Sequence, residues 1–162
     1  GFRMAPYNEP NMVDCFISEQ TASVIVEPVQ GEGGIRLPVR GFLQAIRRRC
    51  DEVGALMHVD EVQAGWGRSG KFFCVEHFDI EPDIMTMGKA MGGGIFPQSA
   101  LIANPKAFKH MEENPWWLSN TFAGSQLACA ATVKLLGRPN LGPDDVHFDI
   151  QVTPPAPENR GD

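Results

Sequence analysis

The segment Ala55-Leu56-Met57-His58-Val59, followed directly by Asp60-Glu61, decides the fold that we predict for this chain. A short, mainly apolar run that ends in polar residues is typical of a buried strand. Upstream, Val39 to Val53 carries apolar residues at helical spacing with arginines on the wet face, and Gly54 is a good helix terminator. Another apolar run, Ala22 to Val26, precedes this helix. Strand, helix and strand at these lengths predict a right-handed crossover unit with parallel strands.

Further strands and helices are predicted after this unit. Pro82-Asp83 introduces an apolar strand, and an alanine-rich helix lies later in the chain. The predicted elements are strands at Ile84–Met87 and Ser99–Ala103 and helices at Pro105–Glu113 and Gln126–Leu136. This order predicts an α/β fold over residues 1–136, with a mostly parallel sheet flanked by helices.

The composition changes from Gly137 onwards. Prolines stand among Asp, Asn and Gly, and only Val146 to Val152 could form a strand. Residues 137–162 are therefore predicted to be a proline-rich tail, as a linker, a junction or disorder. The chain also lacks an initial Met and starts in mid-pattern, which suggests a piece of something larger.

The charge balance argues against some classes of function. The 14 Lys and Arg against 20 Asp and Glu give a formal net charge of -6, which disfavours a general nucleic-acid binder. No apolar run approaches the roughly 20 residues that span a bilayer. A soluble, cytoplasmic protein without nucleic-acid or membrane partners is expected. The cysteines are scattered and no His lies at metal-ligand spacing, so neither a disulfide framework nor a metal site is predicted.

Polar residues and glycine-rich turns follow three of the predicted strands. Glu27 follows the first, Asp60 the second, and the pair Gly88-Lys89 the third. In open α/β sheets, ligands bind in the crevice beyond the carboxyl ends of the strands. These three side chains are therefore expected to meet in one pocket.

The chemistry of this pocket is predicted from Lys89 and Asp60. A lysine just past a buried strand, beside Met87 and near glycines, is expected in a poorly hydrated place where its pKa falls. A neutral amine attacks aldehydes, so Lys89 suits a Schiff base. Pyridoxal phosphate needs a lysine of this kind and a carboxylate for its ring nitrogen, and Asp60 supplies that carboxylate. An ionised carboxylate keeps the ring nitrogen protonated, and the protonated ring draws off electrons from the substrate.

Five ordered motifs resemble those of class III (ω-amino acid) aminotransferases, which depend on pyridoxal phosphate. They cover roughly residues 20 to 136 and together are more specific than any one of them. The motifs are Val26-Glu27-Pro28-Val29-Gln30-Gly31-Glu32-Gly33-Gly34, Asp60-Glu61-Val62-Gln63-Ala64-Gly65-Trp66-Gly67-Arg68-Ser69-Gly70, Pro82-Asp83-Ile84, Gly88-Lys89-Ala90-Met91-Gly92-Gly93-Gly94 and Asn120-Thr121-Phe122-Ala123-Gly124-Ser125-Gln126-Leu127-Ala128-Cys129.

The resemblance implies part of the large domain of a fold-type I enzyme and assigns a role to several residues. Lys89 resembles the Schiff-base lysine, and Asp60 the partner of the pyridine nitrogen. Val62 matches the position that packs on one face of the ring. Gln63 matches the side chain that hydrogen-bonds near the ring hydroxyl.

The resemblance also implies contacts beyond the cofactor ring. Glu32 resembles a glutamate that pairs with a substrate-binding arginine, so that one pocket accepts both an ω-amine and 2-oxoglutarate. Thr121 is similar to a threonine that reaches the cofactor phosphate of the neighbouring subunit, which implies a homodimer. The implied reaction moves the terminal amino group of a diamine, ω-amino acid or ornithine-like compound to a 2-oxo acid, and putrescine, ornithine and acetylornithine aminotransferases are the most similar members.

The sequence departs from the family pattern at both ends. The glycine-serine phosphate loop and the aromatic residue that stacks over the ring should lie upstream. The small C-terminal domain with its carboxylate-binding arginine should lie downstream. Gly137-Arg138-Pro139 also breaks a helix that would normally continue.

Simpler interpretations exist for each residue. Lys89 could be a surface lysine, and Asp60 or Thr121 could cap a helix. Glu27 could form a structural ion pair, and Gln63 could bond only to local backbone. Val62 could be a core residue, and His58 is predicted to be a satisfied core histidine.

Two alternative functions remain open from the sequence. A decarboxylase, racemase or aminomutase could use the same lysine and carboxylate, because the cofactor supplies the chemistry and the protein selects which bond breaks. The chain could also be a non-catalytic fragment that serves as a structural or interaction module.

Overall fold

The computed structural model describes residues 1–114 and 121–137. The described strands are β1 (Ser23–Val26), β2 (Leu56–Asp60), β3 (Ile84–Met87) and β4 (Ala100–Ala103). The described α-helices are α1 (Val13–Phe16), α2 (Phe42–Val53), α3 (Pro105–Glu113) and α4 (Gln126–Leu136), and 3-10 helices cover Pro10–Met12, Cys74–His77 and Lys89–Gly92. The predicted tail lies outside the described residues beyond Gly137, and so does its candidate strand Val146 to Val152.

The described strands form one sheet in the order β1-β2-β3-β4. β1 pairs with β2 and β2 with β3 in parallel, whereas β4 pairs antiparallel with β3. The mostly parallel sheet predicted from the sequence is therefore confirmed. Because β1, β2 and β3 run in the same direction, their carboxyl ends lie at one edge, which we call the strand-end edge.

Helix α2 connects β1 to β2 and begins at Phe42 rather than at the predicted Val39. Gly41 precedes it in the left-handed conformation, with φ 85°, and Gly54 follows it with φ 79°. A left-handed residue interrupts a right-handed α-helix, so the helical spacing upstream of Gly41 does not extend the helix. The prediction that Gly54 ends the helix is confirmed.

The core lies between α2 and one face of the sheet. On β2, Met57 and Val59 are fully buried, whereas the alternate residues His58 and Asp60 are half-buried. This alternation is expected because successive side chains of a strand point to opposite faces. The buried residues of α2 share one helical stripe and are Phe42, Leu43, Ala45, Ile46 and Cys50.

Asp83 links α2, β2 and the end of β4 at the border of the core. Its Oδ2 accepts hydrogen bonds from the backbone N–H of Met57 and from Arg47 Nη1, both at 2.8 Å, and its Oδ1 accepts one from Asn104 Nδ2 at 2.7 Å. Burial by itself would raise the pKa of Asp83, but these hydrogen bonds outweigh burial, so the pKa lies below its usual value. Asp83 is therefore held as a carboxylate.

The other face of the sheet is not covered by α2. Ile25 on β1 is 64% exposed and Leu101 on β4 is 47% exposed. The strand register pairs Ile25 with His58, Asp60 with Thr86, and Thr86 with Leu101, which places all five on this face. We call it the open face. Separately, none of the helices in the described ranges is long and apolar enough to cross a bilayer.

Candidate active site

Asp60 ends β2 on the open face, at the strand-end edge. Its Oδ1 accepts a hydrogen bond from the backbone N–H of Val62 at 2.9 Å. A carboxylate that bonds the N–H two residues on closes an Asx turn, so Asp60 starts the glycine-rich turn rather than capping an α-helix. The half-buried carboxylate is thereby fixed at the point where the strand stops.

Lys89 follows β3 at the same edge and is exposed. Its φ is 45°, in the left-handed region that non-glycine residues seldom adopt, so the backbone holds strain there of about 1–3 kcal/mol. The predicted poorly hydrated surroundings are wrong for the described chain, because Lys89 lies at the open end of the sheet. Exposure alone would suit a surface lysine. The strained backbone and the contact that the amine makes set Lys89 apart.

Gln63 provides that contact. Nζ of Lys89 donates a hydrogen bond to Oε1 of Gln63, across the gap between the ends of β3 and β2. The simpler interpretation of Gln63, a bond to local backbone only, is therefore wrong. The amide fixes the direction of the amine, because a lysine side chain is otherwise free to rotate.

Gly31 connects the end of β1 to the same group. A Cβ at this position would lie 2.5 Å from Cδ and 2.8 Å from Oε1 of Gln63, so a side chain at Gly31 would displace the amide. The N–H of Gly31 donates to Oε2 of Glu27 at 3.1 Å. Glu27, Gln63 and Lys89 thus lie along one line of contacts. The three strands end at the same edge, and the prediction that Glu27, Asp60 and Lys89 share one pocket stays a prediction.

Two of the simpler interpretations can be judged from these contacts. Within the described ranges, Glu27 forms no ion pair and serves instead to hold the Gly31 turn. Val62 is half-buried, and its Cγ1 lies 3.4 Å from the place that a Cβ on Gly88 would occupy. Val62 therefore packs over the backbone that leads into Lys89.

Glu32 and Thr121 lie apart from this line of contacts. Both are exposed, Glu32 in the turn after Gly31 and Thr121 in the turn before α4. The residue that caps α4 is Ser125, so the interpretation of Thr121 as the helix cap is wrong. Within the described ranges, no hydrogen bond joins Glu32 or Thr121 to Lys89.

The role of Glu61 was not predicted from the sequence. Its side chain is fully buried and accepts hydrogen bonds from the backbone N–H groups of Val75 at 2.6 Å and Cys74 at 3.1 Å. Burial raises the pKa of Glu61, and the two hydrogen bonds only partly offset this rise. The signal in the sequence was an acidic residue at the start of the segment Glu61-Val62-Gln63-Ala64-Gly65. This pattern by itself does not distinguish a buried from an exposed carboxylate.

His58 also lies on the open face, one alternation before Asp60. Its Nε2 is 3.3 Å from Oγ1 of Thr86. Burial lowers the pKa of His58, and the nearby Asp60 carboxylate opposes this change. The predicted satisfied histidine therefore has a partner, but on the sheet face that carries Asp60 rather than in the core.

The family model for class III aminotransferases matches residues 9–138. This match covers most of the chain, and the chain therefore belongs to the class III aminotransferase family. Members of this family are pyridoxal-phosphate-dependent enzymes of fold type I, in agreement with the mostly parallel sheet described above.

Solved structures of individual aminotransferases share this fold. The ornithine aminotransferase of Plasmodium yoelii is 34% identical, with a TM-score of 0.77, over 82% of this chain and 35% of that chain. The acetylornithine aminotransferase of Elizabethkingia anophelis is 38% identical, with a TM-score of 0.76, over 82% of this chain and 33% of that chain. The ornithine aminotransferase of Toxoplasma gondii is 32% identical, with a TM-score of 0.78, over 83% of this chain and 31% of that chain. That structure shows partial occupancy of pyridoxal phosphate at its active site. This chain spans about a third of the length of these relatives.

Proposed function

We propose that this chain carries the cofactor lysine of an aminotransferase that moves a terminal amino group to a 2-oxo acid, with pyridoxal 5′-phosphate as its cofactor. The observation that carries the proposal is the hydrogen bond from Lys89 Nζ to Gln63 Oε1, three residues along the chain from Asp60. Membership of the class III family supports it.

The residues at the strand-end edge fit this cofactor. An aldehyde requires a primary amine and a pyridine nitrogen requires a carboxylate, and Lys89 and Asp60 supply these groups from the ends of adjacent strands. Gln63 provides a polar contact to the Lys89 amine. Because Gly31 has no side chain, the Gln63 amide can lie against it while it contacts Lys89.

Each residue has a defined task in the proposed reaction. When bound, pyridoxal phosphate supplies the electron sink for the bond that breaks beside the substrate nitrogen. Asp60 would keep a proton on the ring nitrogen. The Lys89 amine would take the proton from the substrate carbon that bears the amino group and pass it to the cofactor, and in the second half-reaction it would give a proton to the carbonyl carbon of the 2-oxo acid. Gln63 orients that amine, and Val62 packs on one face of the ring. Water would supply the oxygen of the carbonyl compound that the amine substrate becomes. The amino nitrogen would end on the 2-oxo acid, which leaves as an amino acid while its oxygen is released as water.

The amine that we propose as substrate is a diamine, an ω-amino acid or an ornithine-like compound. Similarity to ornithine and acetylornithine aminotransferases supports this choice. In the proposal, Glu32 pairs with a substrate-binding arginine, and Thr121 contacts the cofactor phosphate of the neighbouring subunit of a homodimer. Both side chains are exposed, as such contacts with other segments require. A cytoplasmic location remains a prediction from the sequence.

The proposal is tested by locating the covalent attachment in the full-length protein loaded with pyridoxal phosphate. Borohydride reduction followed by peptide mass spectrometry should place the pyridoxyl group on Lys89. Lys89→Ala should lose the visible absorption band of the bound cofactor and lower kcat by about 10²–10⁴-fold, because the amine both anchors the cofactor and carries the proton.

Lys106→Ala is the matched control, because Lys106 is also exposed and lies at the start of α3. This variant should keep the band and the rate. A pyridoxyl group on another lysine, or a band that survives in Lys89→Ala, would contradict the proposal. Product analysis separates the alternatives, since a decarboxylase releases CO₂ and a racemase or aminomutase forms no new amino acid from the 2-oxo acid.

A further inference from the structure

Glu61 stands between the proposed cofactor contacts but faces away from them. It follows Asp60 and precedes Val62 and Gln63, and its side chain is 0% exposed. The neighbours on both sides make their contacts at the strand-end edge, whereas Glu61 reaches into the segment that starts at Cys74. The turn from Asp60 to Gly65 is therefore held from two opposite sides.

The inner attachment consists of two hydrogen bonds to one carboxylate. Oε1 accepts from the N–H of Val75 at 2.6 Å, and Oε2 accepts from the N–H of Cys74 at 3.1 Å. Both N–H groups belong to the first turn of the 3-10 helix Cys74–His77, and early N–H groups of a helix need partners outside it. A buried carboxylate without such donors would be costly.

Gly65 closes the turn directly on Glu61. The backbone N–H of Gly65 donates to the carbonyl oxygen of Glu61 at 3.0 Å. A Cβ on Gly65 would lie 2.9 Å from that oxygen and 3.3 Å from Oε2. The turn can pack this closely on the carboxylate only because the residue is glycine.

From these contacts we propose that Glu61 is a positioning residue for the cofactor site. By tying the Asp60–Gly65 turn to Cys74 and Val75, it fixes the directions of Val62 and Gln63, and through Gln63 that of the Lys89 amine. The inference rests on the proposed function, because positioning has a consequence for catalysis only if Lys89 is the cofactor lysine. Asp60 anchors the turn at one end, and Glu61 prevents it from rotating about that end.

A substitution that keeps the volume of Glu61 but removes one hydrogen-bond acceptor distinguishes positioning of the turn from simple filling of space. A Glu61→Gln side chain has nearly the same volume but replaces one acceptor oxygen with an N–H₂ group. One of the two backbone N–H groups would then face another donor, which removes a bond and adds a repulsion. The core packing stays the same while the anchor is lost, so the variant separates the two roles.

The experiment compares Glu61→Gln with Glu76→Gln in the full-length protein. Glu76 lies in the same segment and also accepts a backbone N–H, that of Phe73 at 2.6 Å, but it is exposed and makes no hydrogen bond to the turn within the described ranges. Glu61→Gln should raise the Kd for pyridoxal phosphate about tenfold and shift the pH midpoint of the visible absorption change, since a misdirected Gln63 no longer orients the amine. Glu76→Gln should leave both within about twofold.

Hydrogen exchange in the cofactor-free protein supplies a readout that does not depend on the proposed reaction. Faster exchange at the N–H groups of Val62, Gln63 and Gly65 in Glu61→Gln supports the anchoring of the turn by Glu61 even if reduction finds no pyridoxyl group on Lys89. In that event the proposed function fails, and the positioning of the turn still stands.

If Glu61→Gln does not fold, Gly65→Ala carries the test, because its added methyl group displaces the turn without removing the carboxylate. The inference is overturned if either folded variant keeps the wild-type Kd, pH midpoint and exchange rates and only its unfolding temperature falls. In that case Glu61 would serve stability alone.

Discussion

The face of the sheet that packs on α2 and the strand-end edge are built in opposite ways. Behind β2 and β3 the packing is complete, with Met57, Val59 and Cys50 each at 0% exposure. At the edge, Lys89 is exposed and a chain of single hydrogen bonds holds the polar groups in place. The apolar face therefore provides stability, whereas the edge carries the polar groups of the proposed cofactor site.

The difference shows how the two regions respond to change. Close-packed cores lose free energy when any group within them is removed. When one group is removed from a line of polar contacts at an edge, the remaining side chains stay solvated and rotate, so their orientation is lost rather than the stability of the fold. Substitutions in the first region should therefore change stability, and substitutions in the second should change cofactor binding.

The largest effect is expected from Asp83→Ala, at the border of the core. Removing this carboxylate leaves Arg47, the Met57 N–H and Asn104 without their acceptor. We expect a loss of about 3 kcal/mol in the free energy of unfolding, measured by chemical denaturation, with the cofactor Kd of the folded protein changed little. Asp51→Ala is the control. It removes the other carboxylate that pairs with Arg47, and because the Asp51 side chain is 64% exposed, the loss should be about 0.5 kcal/mol. Equal losses from the two variants would show that the Asp83 contacts do not support the core.

A smaller effect, confined to the edge, is expected from Gly31→Ala. The new methyl group must push the Gln63 amide aside, so the Lys89 amine loses its partner. The Kd for pyridoxal phosphate should rise about tenfold, measured by spectroscopic titration, with little change in the unfolding temperature.

Gly33→Ala, two residues further along the same loop, would meet only the Gln30 side chain, with Oε1 at 3.3 Å and Cβ at 3.4 Å, and should bind the cofactor as the wild type does. A Gly31→Ala protein with unchanged affinity and a large loss of stability would reverse the contrast between core and edge.

The smallest effect concerns His58 on the open face. Because burial lowers its pKa in the folded protein, the unfolded chain binds a proton more readily as the pH falls below about 6.5. The contribution of His58 to stability is therefore present above that pH and is lost below it. Denaturation midpoints at about pH 7.5 and pH 5.5 should differ less in His58→Gln than in the wild type, and an unchanged difference would count against this account.

The sequence predicted the regular elements well because local patterns determine them. The alternation around Met57 and the helical spacing of Leu43 and Ile46 gave β2 and α2, and Gly54 gave the end of the helix. The start of α2 was missed because apolar spacing continues upstream through Gly41, whose left-handed backbone is visible only in the structure. The meeting of Glu27, Asp60 and Lys89 at one edge was predicted because parallel strands leave no other arrangement.

Some properties of the site could not be predicted in this way. The exposure of Lys89 depends on whether other segments cover the open end of the sheet, and no local pattern records that. The burial of Glu61 depends on Cys74 and Val75, which are remote in the chain. The partner of the Gln63 amide is Lys89, which lies in the turn after the neighbouring strand β3.

By itself, the sequence determined the order of strands and helices, the parallel unit around α2 and the family to which the chain belongs, because spacing and motifs are local and ordered along the chain. Only the tertiary structure decided which carboxylate faces the edge and which faces the interior. Asp60 and Glu61 are neighbours of similar chemistry, and their different surroundings come from segments that fold onto them from elsewhere. Burial and hydrogen-bond partners are properties of the packed chain.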